Sequence, residues 1–400
     1  MKQGLAVATL IIVLIGTGCR GEEMIKTLNE QASPLQETET PPQSENRQLF
    51  APEIDKQLQR LLEEKVSQEQ FPGIVFYIAT SDGTWMGAAG EAHRESKVVL
   101  KPTDRFRIGN LTNLFMAVIC LQLAEEEQLN LDLPIANYLP PEISDRLPNS
   151  DRVSTRQLLS HRSGLADFYT DEFQQAVQAT PDRDWTVPEI LEYAYAVEPA
   201  SIRGAFSYAN TNYLLVQLII EGITGKPLAQ VLKQRIQTPA ELTNTFLELR
   251  EPIPGGFAQG YQDWNDDNTP ENVTQANLND GLGLGDRGVV SNAPDLVRFF
   301  QVLTTTDKLL YPSSLEEMLE TTPIGMGDGY GLGITHIETR WGEAWGHTGS
   351  ALGFQSSLLY LPAHDMTMVV WMNEGDRKSA TPLSIAQEGL SIILGEPNFR

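Results

Sequence analysis

Apolar residues follow two rhythms along the chain. Pro52 to Val66 has helical spacing, with Ile54, Leu58, Leu61, Leu62 and Val66 on one face. Gly73-Ile74-Val75-Phe76-Tyr77-Ile78-Ala79 is a short continuous apolar run, which predicts a strand. Ser81-Asp82-Gly83-Thr84 is a turn signal, and Trp85 to Ala88 predicts the second strand of a hairpin. From about 110 to 320 helical patterns and loops dominate. Strands return at Phe354 to Leu361 and Met366 to Met372, separated by Pro362-Ala363-His364-Asp365. Thr381 to Leu394 closes as a helix with an apolar face.

Strands at both ends and helices between them predict a mixed α/β (α+β) fold. The economical arrangement is one antiparallel sheet built from both chain ends and flanked by the terminal helices. The middle forms a large, mainly helical lobe, with a cleft where it meets the sheet.

The first residues read differently. Leu5 to Ile15 is apolar apart from Thr9, follows Met1-Lys2 and ends at Gly16-Thr17-Gly18-Cys19. The run is short for a bilayer span and reads as an export signal. A Cys directly after small residues resembles a bacterial lipoprotein cleavage site, although Gly16 stands where such sites usually carry Leu. That resemblance makes Cys19 the expected site of lipidation and the membrane anchor. Residues 20–49 are rich in Glu, Gln, Thr, Ser and Pro, and predict a flexible polar tether. Residues 50–400 form the expected folded domain, and the expected location is the cell envelope, outside the cytoplasm.

Charge and composition narrow the function. The 400 residues carry 53 acidic against 29 basic side chains, a net charge of −24, which argues against a nucleic-acid partner. Two cysteines cannot form a disulfide framework or a cysteine-rich zinc site. Cys120, inside the apolar run Phe115 to Leu121, reads as a buried small hydrophobe. His93, His336 and His364 have no metal-ligand spacing, and Asp263, Asp266 and Asp267 lack the pattern of a calcium loop. No metal and no cofactor are expected. Glu125-Glu126-Glu127 reads as a solvated helix face.

Three short segments carry the chemistry. Phe106-Arg107-Ile108-Gly109-Asn110-Leu111-Thr112-Asn113-Leu114-Phe115 opens a helix. Ser207-Tyr208-Ala209-Asn210 precedes another, Thr211 to Ile223. Gly346-His347-Thr348-Gly349-Ser350 precedes the strand at Phe354. In this order and spacing the chain resembles the serine β-lactamase and D-Ala-D-Ala carboxypeptidase (penicillin-binding protein) superfamily, in its class C-like branch. That superfamily carries Ser-x-x-Lys at a helix start, Tyr-x-Asn, and Lys/His-Thr/Ser-Gly on an edge strand. Leu131-Asp132-Leu133-Pro134-Ile135, Gln157 to Leu165, Gly285 to Phe300 and Tyr330-Gly331-Leu332-Gly333 also resemble its usual stretches. The likeness covers about 52–395 and implies a β-lactamase/transpeptidase-like fold. His161 and Ser163 fall in one of its structural segments.

The first motif departs from the family. Asn110 stands at the nucleophile position and Asn113 at the lysine position. Family chemistry forms an acyl-enzyme by attack of a serine hydroxyl. The lysine, three residues on, lies on the same helix face and favours the tyrosine phenolate. An amide is a poor nucleophile, and Asn113 carries no charge. Losing the nucleophile of such a unit costs about 10⁴- to 10⁶-fold in rate. No serine precedes a lysine by three anywhere in the chain, and Gly-x-Ser-x-Gly is absent. Thr112 is two residues along a helix from Asn110 and faces elsewhere. Asn is also a good N-cap, so Asn110 is expected to cap the helix that follows.

What the resemblance leaves is a binding cleft. It places Tyr208 at the base position, and Asn210, His347, Thr348, Gly349 and Ser350 as ligand-binding positions. The backbone amides of Asn110 and Ser350 would form the oxyanion hole. The charge of His347 is set by its surroundings. The expected ligand is a small peptide of D-amino-acid or peptidoglycan type, held by a protein that no longer acylates. Two other readings stay open. One is a hydrolase of amides or esters in which Tyr208 or His347 activates water. The other is a scaffold for protein contacts with an empty cleft.

Overall fold

The computed structural model describes residues 51–69, 71–263, 269–274, 280–325, 327–375 and 380–396. Cys19, the apolar leader, the tether, Asp266 and Asp267 lie outside the described residues. The element order is β1 (Gly73–Thr80), β2 (Gly83–His93), β3 (Val98–Val99), β4 (Phe106–Arg107), β5 (Phe246–Leu247), β6 (Tyr261–Gln262), β7 (Glu271–Asn272), β8 (Val289–Ser291), β9 (Thr322–Gly325), β10 (Asp328–Tyr330), β11 (Thr335–Thr339), β12 (Gly342–Ala351), β13 (Phe354–Leu361) and β14 (Met366–Met372). Four helices frame the sheet and the site: α1 (Pro52–Glu69), α2 (Thr112–Glu125), α3 (Thr211–Thr224) and α4 (Pro382–Leu394).

One nine-stranded antiparallel sheet runs β3-β2-β1-β14-β13-β12-β11-β10-β9. Within it β1 pairs with β14, Phe76 opposite Val370 and Ile78 opposite Met368, so the two chain ends meet as expected. The apolar run of β1 is continuous because both of its faces are covered. Ile74, Phe76 and Ile78 pack with Leu58, Leu62, Met368, Val370, Ile385 and Leu390, under α1 and α4. Val75 and Tyr77 face the larger core, which holds Phe115, Leu214, Phe299 and Trp371. Thr381 starts α4 with a capping box to Ser384.

The middle of the chain is not purely helical. Short strands β4, β8 and β5 form a three-stranded sheet, and β6 pairs with β7. Pairing across more than 100 residues, such as Phe106 with Ser291, leaves no local period to read.

The Gly346–Ser350 segment precedes the strand at Phe354, as expected, and is itself the second half of β12. β11 pairs with β12 from Gly342 to Gly346, whereas β13 pairs with it from Trp345 to Ala351. From His347 onward the far side of β12 is therefore free of a strand. A 3-10 turn, Gly109–Leu111, packs against that side, and Ser356 Oγ donates to Ile108 O at 2.8 Å beneath it. The approach is close enough to require glycine on both partners. Gly109 has φ +58°, and a Cβ there would lie 2.5 Å from Ser350 O; a Cβ on Gly349 would lie 2.0 Å from Ile108 O.

Asn110 is not the N-cap of α2. The 3-10 turn runs directly into the helix, so Leu111, with helical φ and ψ, stands at the cap place and no side chain caps it. Thr112 Oγ1 donates to Gly109 O at 2.7 Å and accepts from Val289 N–H at 3.3 Å, on the side away from Asn110. The α2 helix is buried from Thr112 to Leu123, Cys120 included, and burial pushes the Cys120 thiol pKa up.

The acidic run after α2 is partnered rather than simply solvated. Glu126 forms a forked pair with Arg235 at 2.8 Å, and Glu125 Oε1 accepts from Tyr311 N–H. Among the described residues no helix is long and apolar enough to cross a membrane, and no group of three or more His, Cys, Asp or Glu is placed to hold a metal ion.

Candidate active site and ligand cleft

The three sequence segments meet as the spacing of motifs suggests. The 3-10 turn carries Asn110, the first turn of α2 carries Asn113, the residues before α3 carry Tyr208 and Asn210, and β12 carries His347 to Ser350.

Asn110 bridges two of these elements. Its Nδ2 donates to Asn210 Oδ1 at 2.9 Å, and its Oδ1 accepts from the Ser350 backbone N–H at 3.4 Å. Asn210 is itself fixed by Asp167, whose Oδ2 accepts from Asn210 Nδ2 at 2.9 Å and whose Oδ1 accepts from Asn210 N–H at 3.0 Å. A carboxamide therefore fills the space where a nucleophile would stand and presents its carbonyl to a backbone donor.

Asn113 is 1% exposed and donates from Nδ2 to the Tyr208 hydroxyl at 2.9 Å. The Tyr208 ring is 37% exposed, but this bond turns its hydroxyl inward. Burial of that hydroxyl, with Tyr330 beside it, raises the phenol pKa well above its usual value, and the Asn113 bond opposes this only in part. Tyr208 is a neutral phenol at neutral pH. A neutral amide donor in place of a cation leaves it so.

His347 lines the core of the site rather than its mouth, because β12 and Tyr330 enclose it. It is 3% exposed, and Tyr330 Oη lies 2.8 Å from Nε2. The Thr348 carbonyl, which can only accept, takes a hydrogen bond from Nδ1. The proton is thereby assigned to Nδ1, and Tyr330 donates to Nε2. Burial lowers the His347 pKa to about 4, so its side chain is neutral near pH 7. Gly349 is buried, while Thr348 and Ser350 are exposed on the free half of β12.

Three residues complete the site that motif reading did not single out for it. His161 is fully buried and stacks on the Tyr208 ring at 3.9 Å between centroids. Its Nδ1 lies 3.3 Å from Ala209 N and 3.1 Å from Asn212 Nδ2, so it accepts from both and holds the Tyr208–Asn212 segment. Ser163 Oγ donates to Asn212 Oδ1 at 2.6 Å in the same network, which leaves it no role at the cleft. Tyr330 had a signal in the Tyr-Gly-Leu-Gly stretch. Asp167 had only its place two residues beyond Leu165, at the end of another recognised stretch.

A helical lobe set against a large antiparallel sheet, with these three segments converging, is the architecture of the β-lactamase-related family of hydrolases and penicillin-binding proteins. The family model described as Beta-lactamase matches residues 58–387, and the chain belongs to that family. Penicillin-binding protein 4* of Bacillus subtilis is 26% identical over 361 residues, covering 86% of this chain and 76% of that protein. The putative penicillin-binding protein PbpX of the same organism is 27% identical over 267 residues; the chain spans 62% of its length and 66% of this chain is covered. Among solved structures, a D-stereospecific amidohydrolase from Streptomyces sp. superposes with a TM-score of 0.73 at 27% identity, over 85% of this chain and 98% of that one.

Proposed function

We propose that this chain is a non-acylating member of the family, a binding or regulatory protein of the cell envelope that takes D-amino-acid or peptidoglycan-type peptides. The observation that carries this reading is the Asn110 carboxamide between Ser350 N–H and Asn210. It removes the nucleophile while keeping the backbone donor and the Asn210 amide in place. Asn113 removes the cation, and Tyr208, protonated and bonded to Asn113, offers no base. His347, buried and with both nitrogens engaged, is likewise unsuited to activate water. The hydrolytic reading through Tyr208 or His347 thus has no supporting observation.

The binding reading draws on the free half of β12. Exposed Thr348 and Ser350 give an extended peptide a hydrogen-bonding edge. The 3.4 Å contact at Ser350 is long, worth under about 1 kcal/mol, so a ligand carbonyl displaces it at small cost. The D-stereospecific amidohydrolase and penicillin-binding relatives support this ligand class by analogy.

The testing experiment incubates the full chain with a fluorescent penicillin and, separately, measures thermal shifts with peptides ending in D-Ala-D-Ala. No covalent label, together with a stabilisation that Asn210→Ala and Thr348→Val abolish, is the expected result. Covalent labelling sinks the non-acylating reading. Absence of any peptide effect favours the scaffold reading. Export and anchoring through Cys19 are part of the proposal. Labelling of cells with a radioactive fatty acid, lost in Cys19→Ser, is the check.

A further inference from the structure

Tyr208 is the one aromatic ring of the site that stands open, and it is backed on one face. The His161 ring stacks on it at 3.9 Å between centroids, with 27° between the planes. Tyr330 and His347 approach it at 6.4 and 6.5 Å, inclined at 85° and 52°, and neither stacks on it. Its hydroxyl points inward to Asn113, so the exposed part of the side chain is ring. With His161 on one face, solvent reaches the other. His161 is itself fully buried and accepts from Ala209 N–H and Asn212 Nδ2, so the platform is set before any ligand arrives.

Beside the platform lies a row of neutral amides that ends in one carboxylate. Asn110 Nδ2 donates to Asn210 Oδ1, and Asn210 Nδ2 donates to Asp167 Oδ2, both at 2.9 Å. Each of these amide nitrogens spends one N–H there and keeps a second. Asp167 Oδ1 is taken by Asn210 N–H at 3.0 Å and Tyr169 N–H at 3.4 Å, which leaves Oδ2 a spare lone pair. Across the cleft Thr348 and Ser350 are exposed, and no hydrogen bond engages either hydroxyl among the described residues.

This set of groups narrows the ligand. An apolar ligand would cover the ring and leave the amides unused. A phosphate-bearing ligand would meet a chain of net charge −24, at a place where no lysine or arginine side chain bonds to Asn110, Tyr208, Asn210, Thr348 or Ser350 among the described residues. What fits is a saturated ring that carries C–H groups on one face and hydroxyls around its rim. Polarised C–H groups pack on the negative face of an aromatic ring. Rim hydroxyls donate and accept together, as a row of amide N–H groups and a carboxylate requires.

We propose that the cleft binds a neutral pyranose sugar, stacked by its C–H face on Tyr208 and held by its hydroxyls to Asn110, Asn210 and Asp167. This rests on the binding reading above and deepens its peptidoglycan part: Tyr208 takes the sugar of such a ligand, and the edge of β12 is left for its peptide.

The test is saturation-transfer NMR and calorimetry on the full chain, with tri-N-acetylglucosamine, with glycan strands stripped of their peptides, and with sugar-free N-acetyl-D-alanyl-D-alanine. The axial protons on one face of the sugar ring should receive the strongest transfer. Tyr208→Phe should keep the pattern, and Tyr208→Leu should weaken sugar binding at least about tenfold, as expected for loss of a stacked aromatic partner. Asp167→Asn should weaken it severalfold without changing which protons respond, and serves with the native proton pattern if Tyr208→Leu does not fold. Tighter binding of the strands assigns the polymer as the source, and equal binding the free sugar; both support the proposal. Peptide binding without sugar binding, or sugar binding that survives Tyr208→Leu unchanged, overturns this inference and leaves the peptide reading standing. Failure of every probe overturns both.

Discussion

Asn110 Oδ1 sits 3.4 Å from the Ser350 backbone nitrogen, so a side chain of the helix-leading turn occupies a donor of the strand that faces it. The same carboxamide is held at its other end by Asn210 at 2.9 Å. On the proposed reading, this one residue both stands in for the nucleophile and occupies the Ser350 backbone donor. The predictions that follow separate these two effects.

Truncating the occupant should free the donor. Asn110→Ala should lower stability by about 1 kcal/mol, the worth of one good hydrogen bond and one weak one, while tightening a carbonyl-bearing peptide severalfold. Urea unfolding beside calorimetry on the same sample reads both signs. Weaker peptide binding in this variant would mean that the Asn110 amide helps hold the ligand.

Chemistry should return only when both lost groups return. Asn110→Ser restores a hydroxyl, and Asn113→Lys places an ammonium where Nδ2 now meets Tyr208 Oη. Mass spectrometry after penicillin treatment should show an acyl adduct on the double variant, at a rate at least about 10³-fold above the native chain. Each single variant should remain near the native level, because such groups act as a unit.

The seam between the 3-10 turn and β12 should tolerate no side chain at Gly109. An alanine there meets the Ser350 backbone at 2.5 Å with φ +58°. The left-handed backbone and the overpacking together should cost about 2–4 kcal/mol. A fall in urea midpoint with an unchanged slope is the expected signature. A loss under 0.5 kcal/mol, on the order of an ordinary surface change, would show that the turn shifts freely.

Acid should erode the contribution of His347. Its folded pKa, about 4, lies below its ordinary value, so the folded state binds fewer protons than the unfolded one between pH 6.5 and 4. Stability from this residue is full above pH 6.5 and is lost as pH falls through that window. Asp286, whose folded pKa is raised by burial to about 6, acts in the opposite direction below pH 6. Comparing native chain with His347→Asn cancels the Asp286 effect. The gap in melting temperature should narrow from pH 7 to pH 5. A gap that widens would mean that His347 is charged in the folded state.

The strands Phe354–Leu361 and Met366–Met372 were legible to the residue, because two stretches rich in large apolar residues flank the turn signal Pro362-Ala363-His364-Asp365. The joining of both chain ends in one sheet was legible from element order. The start of β12 at Gly342 was not, because Gly342-Glu343-Ala344 has too little apolar character to read as a strand. The 3-10 turn was also hidden. Asn110 before an apolar helix looks like a cap, and only contact with β12 and Asn210 explains why its side chain turns elsewhere. The site was legible where a motif named a residue. Asp167 and the stacking of His161 on Tyr208 were not, since their meaning lies in contacts between segments distant in the chain.

β12 changes character at Gly346. Up to that point it is an interior strand, with β11 on one side and β13 on the other; beyond it, the Gly109–Leu111 turn takes the place of a strand on one side. The Ser350 amide, which a neighbouring strand would otherwise have taken, is met by the Asn110 side chain instead. Because β11 stops short, a turn from the far end of the chain is spliced into the body of the sheet, away from its two outer rims at β3 and β9. That splice locks the helical lobe to the sheet at the one place where both carry the site.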